Sequence, residues 1–285
     1  IAVAPVAGTA TDLAVNLAAN DTTSKGPGLL GGPNMALNYV LGTLGAALKR
    51  FDPTLFPWLA DPTGATDATA AINACSAAAG ANSRLDFPPG SQFLVTGTLR
   101  HRADHQWWHC YGSQFVFAPV ANSTCYLREA ADSAQSVWGG GLLGARFFSA
   151  DVDYVKVGVD IGDARIFALR DLLLNGSVVH DGTNYWSDDT SSSIGLRIRG
   201  RELIETDNLY ITADRPVVLS ASPNTSIVGL DHLHLTRTTL IGHENPGIEI
   251  EDGTPVTQVT LDGVSINKCR EALKWIDTTG TVTGN

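Results

Sequence analysis

Past residue 100, apolar and polar residues alternate in short runs, and no helical period appears anywhere in that region. Four runs share one pattern: Asp171-Leu-Leu-Leu-Asn, Asn208-Leu-Tyr-Ile-Thr, His232-Leu-His-Leu-Thr and Gly263-Val-Ser-Ile-Asn. Their inward pairs read as Leu172/Leu174, Leu209/Ile211, Leu233/Leu235 and Val264/Ile266, with steps of 37, 24 and 31 residues between units. A shorter run precedes each, as Val159-Asp-Ile, Leu196-Arg-Ile, Val217-Val-Leu and Ile248-Glu-Ile, and Leu273-Lys-Trp opens a fifth unit. Two short strands per unit with loops of variable length predict a solenoid, because one coil cannot bury its apolar face alone and must stack it on a neighbour. A β-sandwich would need turns every 8 to 12 residues or about that. Only Trp138-Gly-Gly-Gly-Leu-Leu reads comfortably either way.

Upstream of the repeats, the segment 58–99 predicts a helix, a strand, a corner and a strand. Thr66 or Asp67 is placed to accept from the free N–H groups of a first turn, Ala68 to Ala79 supplies strong helix formers around Ile72 and Cys75, and Gly80 stops them. Leu85 and Phe87 alternate with Asp86, Pro88-Pro89-Gly90 forces a turn, and Phe93 and Val95 resume the period of two. In this segment Gly64, Thr66, Asp67, Thr69, Ala70, Ala71 and Ile72, then Phe87, Pro88, Pro89, Gly90, Phe93 and Val95, resemble the opening of a right-handed parallel β-helix of the pectate-lyase type, as found in bacteriophage tailspikes. Pro62-Thr63 and Ala68 depart from that pattern where the family carries Gly-Asp and a second Asp. The motif is specific for the fold and says nothing about the reaction. The fold expected is all-β, a right-handed parallel β-helix preceded by an N-terminal arm and a short helical neck.

The organisation expected is an arm or linker over 1–33, a neck helix and hinge over 34–57, and the β-helix over 58–285 with its opening cap at 58–99. The neck rests on Leu37, Leu41, Leu44, Leu48 and Phe51, stepping by 4, 3, 4 and 3, with Asn34 at the N-cap and Lys49-Arg50 at the negative end of the helix dipole. Two heptads fit a trimeric neck and equally an amphipathic helix packed on its own chain, and Gly42 and Gly45 weaken either by up to about 1 kcal/mol each. Trp107, Trp108 and Trp138 read as packing residues that cover the open end of the solenoid. A start at Ile1 and a polar turn at 278–285 directly after an apolar strand lead to the expectation that sequence is missing at both ends.

Composition narrows the function. A formal net charge of −10, with 19 scattered Lys and Arg, argues against a phosphate-binding surface and hence against nucleic acid as partner. No stretch approaches the roughly 20 apolar residues of a membrane span. Cys75, Cys110, Cys125 and Cys269 have neither C-x-x-C spacing nor the density of a disulfide scaffold, so they are expected reduced and mostly buried. Walker, H-E-x-x-H, G-x-S-x-G and dinucleotide motifs are missing, and no cofactor or metal is expected. His232 and His234, at i and i+2, read as solvated histidines.

In a solenoid the residue between two inward positions points out, so the first strands present Asp160, Arg197, Val218, Glu249 and Lys274. With coils about 4.8 Å apart, Asp160 should face Arg197, and Glu249 should face Lys274. These read as cross-strand charge pairs on a solvated face. Glu249 and Glu251 also admit a sharper reading. Outward residues at i and i+2 stand about 6.5 to 7 Å apart, a spacing that brings two carboxyls to the separation glycosidases use, one as general acid and the other as base or nucleophile. Asp252 and His243-Glu244 lie nearby in sequence, whereas Asp151 and Asp153 are explained by an exposed turn. A second candidate is the insertion from His180 to Ser193, where Tyr185 and Trp186 beside Asp188 and Asp189 could stack on and hydrogen-bond a sugar. A polar surface loop or a contact to a neighbouring subunit explains the same residues.

The resemblance implies the proximal part of a phage tailspike in the virion tail, made in the host cytoplasm. Such a protein would be a homotrimer that binds a bacterial surface polysaccharide and cleaves it, by hydrolysis rather than elimination since no Asp/Arg cluster of the calcium-dependent lyase kind is present. Its arm would join other tail or baseplate proteins. The alternative is a non-enzymatic structural tail protein with the β-helix as a rigid shaft. A secreted cellular pectin-lyase-like enzyme would explain the β-helix but not the heptad seam or the absent disulfides.

Overall fold

The computed structural model describes residues 49–118, 123–129, 136–149, 155–175, 178–180, 185–187, 193–199, 202–221, 230–242 and 245–276. The arm and all but the end of the expected neck therefore lie outside the described residues, as do Asp151, Asp153, Asp188, Asp189, His243 and Glu244. Arg50 and Phe51, read as the end of the neck, instead form a strand that pairs in parallel with Arg84 and Leu85, and Phe51 is buried in the core.

The chain winds as a right-handed parallel β-helix. Among the described residues, a sheet of seven strands carries the first strand of each coil, a sheet of 13 strands carries most of the others, and two pairs of short strands stand apart. The predicted register of the first strands is the observed one: Val159 stacks on Leu196, Leu196 on Val217, Val217 on Ile248 and Ile248 on Leu273. Outside them run Asp160, Arg197, Val218, Glu249 and Lys274 in the same order.

The second strands differ from expectation in one respect. Leu172/Leu174 stack on Leu209/Ile211 as predicted, but Leu233/Leu235 stack on Ile204/Thr206 rather than on Leu209/Ile211. The next coil then places Val259 and Leu261 against Leu233 and Leu235, and Ile266 against Leu240. The cause is a bend that divides each long strand into two inward pairs. It falls at Gly144, Asp171, Asn208, Arg237 and Gly263, each with φ between 46° and 70°, stacked one above the other. The sequence repeat had matched a first pair in one coil to second pairs in the others.

The helix forms over Thr69–Ala79, and Gly80, at φ 63°, ends it. Asp67 accepts from the Thr69 N–H at 3.0 Å and from the Thr96 N–H at 3.1 Å, which ties the helix start to the strand after the Pro-Pro-Gly corner. Ile72, Cys75 and Ala79 join the core, so this helix covers the first coil, not the tryptophans. Trp108 lies inside the core, and Trp107 and Trp138 lie on the outside. At the opposite end Leu261, Leu273 and Trp275 continue the stacking columns yet stand 43–48% exposed.

The early coils are filled by rings: Phe87, Phe93 and Phe115 lie within 5.7 Å of one another, and His101 stacks on Trp108 at 5.3 Å. Arg128, fully buried, donates to the carbonyls of His101, Ala103 and Gly139 and packs over Phe167. Burial pulls its pKa down to about 10, which leaves it charged at neutral pH. Burial, and then the Arg128 charge, holds the His101 imidazole well below its ordinary value. The three buried cysteines are free thiols, as is the half-buried Cys269.

Two predictions follow from this packing. Gly140 has φ 91°, and a Cβ there would collide with the carbonyl of Gln106, whereas Gly253, at φ 69°, has nothing within 4 Å. Gly140→Ala should cost about 3 kcal/mol or more in urea unfolding and Gly253→Ala about 1–2; equal losses would contradict the close approach. His101 is neutral when folded and takes a proton when unfolded below about pH 6.5, so its contribution is intact above that pH and is lost as pH falls, at about 1.4 kcal/mol per unit. His101→Gln should remove that one-proton slope between about pH 6.5 and 5.

Candidate functional site

The outer face of the seven-stranded sheet carries two charged columns. One runs through Asp160, Arg197, Val218, Glu249 and Lys274, and the other, two residues further along each strand, through Gly162, Arg199, Ser220 and Glu251. Strand pairing brings these side chains within reach of one another whatever the length of the loops between them.

At one end of the face, Asp160 is 1% exposed and would be unstable as a lone buried anion. Arg199 Nε and Nη2 each donate to it at 2.9 Å, and both Nε and Nη2 of Arg197 donate to its Oδ2. The Asp160–Arg197 pair is the one the spacing predicts. Arg199 adds a second cation that the sequence reading missed, and its Nη2 also approaches Glu129 at 3.9 Å.

At the other end, Glu249 lies in register with Lys274 as predicted, but its carboxylate goes elsewhere. Arg215 Nε donates to Glu249 Oε2 at 2.8 Å, and Arg215 Nη2 donates to Glu251 Oε1 at 2.7 Å. One guanidinium thus spans the i and i+2 carboxylates, which its planar fork can do and the single ammonium of Lys274 cannot. Ser220 Oγ donates to the other Glu251 oxygen at 2.7 Å. Glu249 is 8% exposed, and Glu251 opens more to solvent. Burial raises the Glu251 pKa, but the Ser220 hydroxyl and the Arg215 guanidinium outweigh it and hold the carboxyl below the ordinary glutamate value. Glu251 is therefore ionised at neutral pH, the form a general base or nucleophile needs.

Val178–His180 and Tyr185–Ser187 form an antiparallel hairpin inserted between the strands ending at Asn175 and beginning at Ile194, with Trp186 opposite Val179 and Tyr185 opposite His180. After the hairpin, Ser193 donates its N–H to Asp214 Oδ2 at 3.2 Å and accepts from the Arg215 N–H at 2.9 Å. Ser193, at the C-terminal end of the insertion, thus pairs with the backbone of Arg215, whose side chain holds the two carboxylates.

Sequence reasoning missed Arg215 and Ser220 because both act across coils. The signal was present in register, since the Leu196–Val217–Ile248 alignment already puts Ser220 beside Glu251. His232 and His234 are half-buried neighbours with ring centroids 6.3 Å apart. Among the described residues no group of three or more His, Cys, Asp or Glu is arranged to hold a metal ion, and no helix is long and apolar enough to cross a membrane.

Removing the clamp exposes its energetics. Arg215→Ala leaves the nearly buried Glu249 unpaired and should cost about 3 kcal/mol. Because the Glu251 pKa is lowered in the fold, the stability it adds is present above its ordinary value of about 4.3 and is lost as pH falls through the folded value. In the variant the Glu251 carboxyl, followed by NMR titration, should move up, and that acid loss should shrink; an unmoved titration would show that Arg215 does not hold it.

No family model matches the sequence, and no curated protein matches it. Among solved structures, the Dettilon tailspike protein is similar at a TM-score of 0.56 and 15% identity, over 88% of this chain and 52% of that one. ORF18 of Geobacillus virus E2 is matched at a TM-score of 0.39 and 10% identity, over 82% of this chain and 63% of that one. The chain spans about half the length of the Dettilon tailspike protein and shares its β-helix fold.

Proposed function

We propose that the chain is the proximal part of a phage tailspike, a virion tail component that binds a bacterial surface polysaccharide and cleaves it by hydrolysis. Glu251 acts as base or nucleophile and Glu249 as its partner carboxyl, while Tyr185, Trp186, Asp188 and Asp189 contact the sugar. The observation that carries this reading is the carboxylate pair itself, in which Glu251 opens to solvent and is held ionised by Ser220 and Arg215 two residues from Glu249 on one outer face. The β-helix fold held in common with a tailspike supports the tail assignment. In this reading three copies associate as a homotrimer, and residues 1–33 join other tail or baseplate proteins. Three equivalent sites would raise avidity on a repetitive glycan.

One observation favours the second reading, a rigid shaft without activity. Arg215 occupies both carboxylates, and a salt-bridged pair serves a structural face as well as a catalytic one.

The two separate in one assay. The full chain is incubated with capsule and lipopolysaccharide preparations, and new reducing ends are counted. Hydrolysis should appear, and Glu251→Gln should lower it by about 100-fold or more. Chains left intact by the native protein would leave the shaft reading, and a native mass of one chain would contradict the trimer.

A further inference from the structure

The outer face of the 13-stranded sheet holds a depression apart from the carboxylates and arginines described above. Its origin is an in-register outward column of unequal size: Trp107, Gly141, Ala168 and Glu205 stack in that order on successive coils. The Trp107 indole lies over Gly141, and the small Ala168 beyond it leaves a hollow before Glu205. The hollow has a volume of about 260 Å³ and is lined by Trp107, Trp138, Ile166 and Ala168, with His105, Arg170 and Glu205 as its polar side chains.

The close fit of this arrangement is visible at Gly141. A Cβ there would lie 2.6 Å from the Trp107 ring and 2.8 Å from the Ala168 carbonyl, so the indole rests where only glycine leaves room. Trp138 is 40% exposed and is packed by the Arg165 guanidinium, which sits 4.6 Å from its ring centroid and is itself paired with Glu202 at 2.8 Å. The rim is strained. Ile166, a β-branched residue, has φ 53° and is 52% exposed, so no burial offsets its left-handed backbone. Such residues persist where surrounding structure holds them, and they cluster at binding sites.

The chemistry of the hollow is that of a sugar ring. An indole ring matches the C–H face of a pyranose, which sheds water there, and Trp107 and Trp138 both line the hollow. Arg170 Nη2 stands 3.6 Å from Glu205 Oε2, and both side chains are about half exposed, so each keeps hydrogen-bonding capacity for hydroxyls. Their charges offset each other, which suits an uncharged ring better than a uronic or sialic one. The volume falls below the roughly 300–1,000 Å³ of pockets for drug-sized ligands, and accords with one ring rather than several.

We propose that this hollow is a saccharide subsite for one neutral pyranose residue, stacked on Trp138 and Trp107 and hydrogen-bonded by Arg170 and Glu205. The proposal rests on the polysaccharide reading above and adds a second contact on a different sheet from Arg215.

The test uses the full chain on an array of defined neutral and acidic hexasaccharides, with affinities for bound glycans measured by indole fluorescence. Trp138→Ala removes one wall, and Ala168→Leu fills the hollow without removing any native contact. Both should keep the native melting curve and weaken a neutral glycan at least tenfold. A glycan bound with unchanged affinity by both variants overturns the subsite and leaves the polysaccharide reading standing. Preference for acidic glycans at these residues also overturns it as stated. Failure of the native protein to bind any glycan overturns both.

Discussion

In-register stacking of coils is the constraint on which everything else depends. A coil of two or three short strands has no interior of its own, so Leu196 is buried only because Val159 and Val217 lie in register on either side. Side chains alternate with a period of two, and a slip of one residue would turn every such column outward. The left-handed bends at Gly144, Asp171, Asn208, Arg237 and Gly263 oppose that slip, since all must fall at the same height. Asn208 reinforces the alignment by donating its amide to Asp171 at 2.7 Å, bend to bend. The terminal columns show what stacking supplies: the helix over Thr69–Ala79 covers one end, while Leu273 and Trp275, with no further described coil against them, remain exposed.

The same register governs the outer faces. Outward residues on neighbouring coils sit about one strand spacing apart, so a charge at one position must be met by its complement or by a gap. On the seven-stranded sheet it is met by its complement, with Asp160 held by two arginines and Arg215 held by two glutamates. On the 13-stranded sheet Ala168 supplies the gap, while Gly141 beside it makes room for the Trp107 indole. A clamp and a hollow are thus two outcomes of one rule, decided by which residue occupies an outward position.

That rule also explains what could be read from the sequence. The columns Val159–Leu196–Val217–Ile248–Leu273 were legible because each strand is short, straight and marked by an apolar-x-apolar triplet. The alignment of Leu233 was not, because the bend at Asn208 makes one strand carry two such triplets, and nothing in Leu-His-Leu distinguishes the first from the second. The Asp160–Arg197 pair followed from register alone. Arg215 did not, because it lies three residues from Val218, the position level with Glu249, and its long fork reaches along the strand as well as across it. The tryptophans were misjudged for a similar reason. Trp107 and Trp108 are neighbours in sequence with opposite fates, one outside and one in the core, and only the phase of the strand decides which.

Function on such a scaffold inherits its rigidity. Glu249, Arg215, Trp107 and Glu205 lie on strands whose neighbours fix their backbone on both sides, and Glu251 follows directly on Ile248–Ile250 with its N–H bonded to the Leu219 carbonyl, whereas the hairpin at Val178–His180 and Tyr185–Ser187 stands outside the ladder. Under the proposed polysaccharide reading, groups held this way keep their spacing without cost on binding, which favours recognition of a regular polymer over adaptation to a varied one. A shaft and a binding surface are then the same object. What distinguishes a passive shaft from an enzyme is confined to Arg215, which must release one carboxylate to the substrate if Glu251 is to act on it, and Glu251, the more open of the two, is the carboxylate placed to be released.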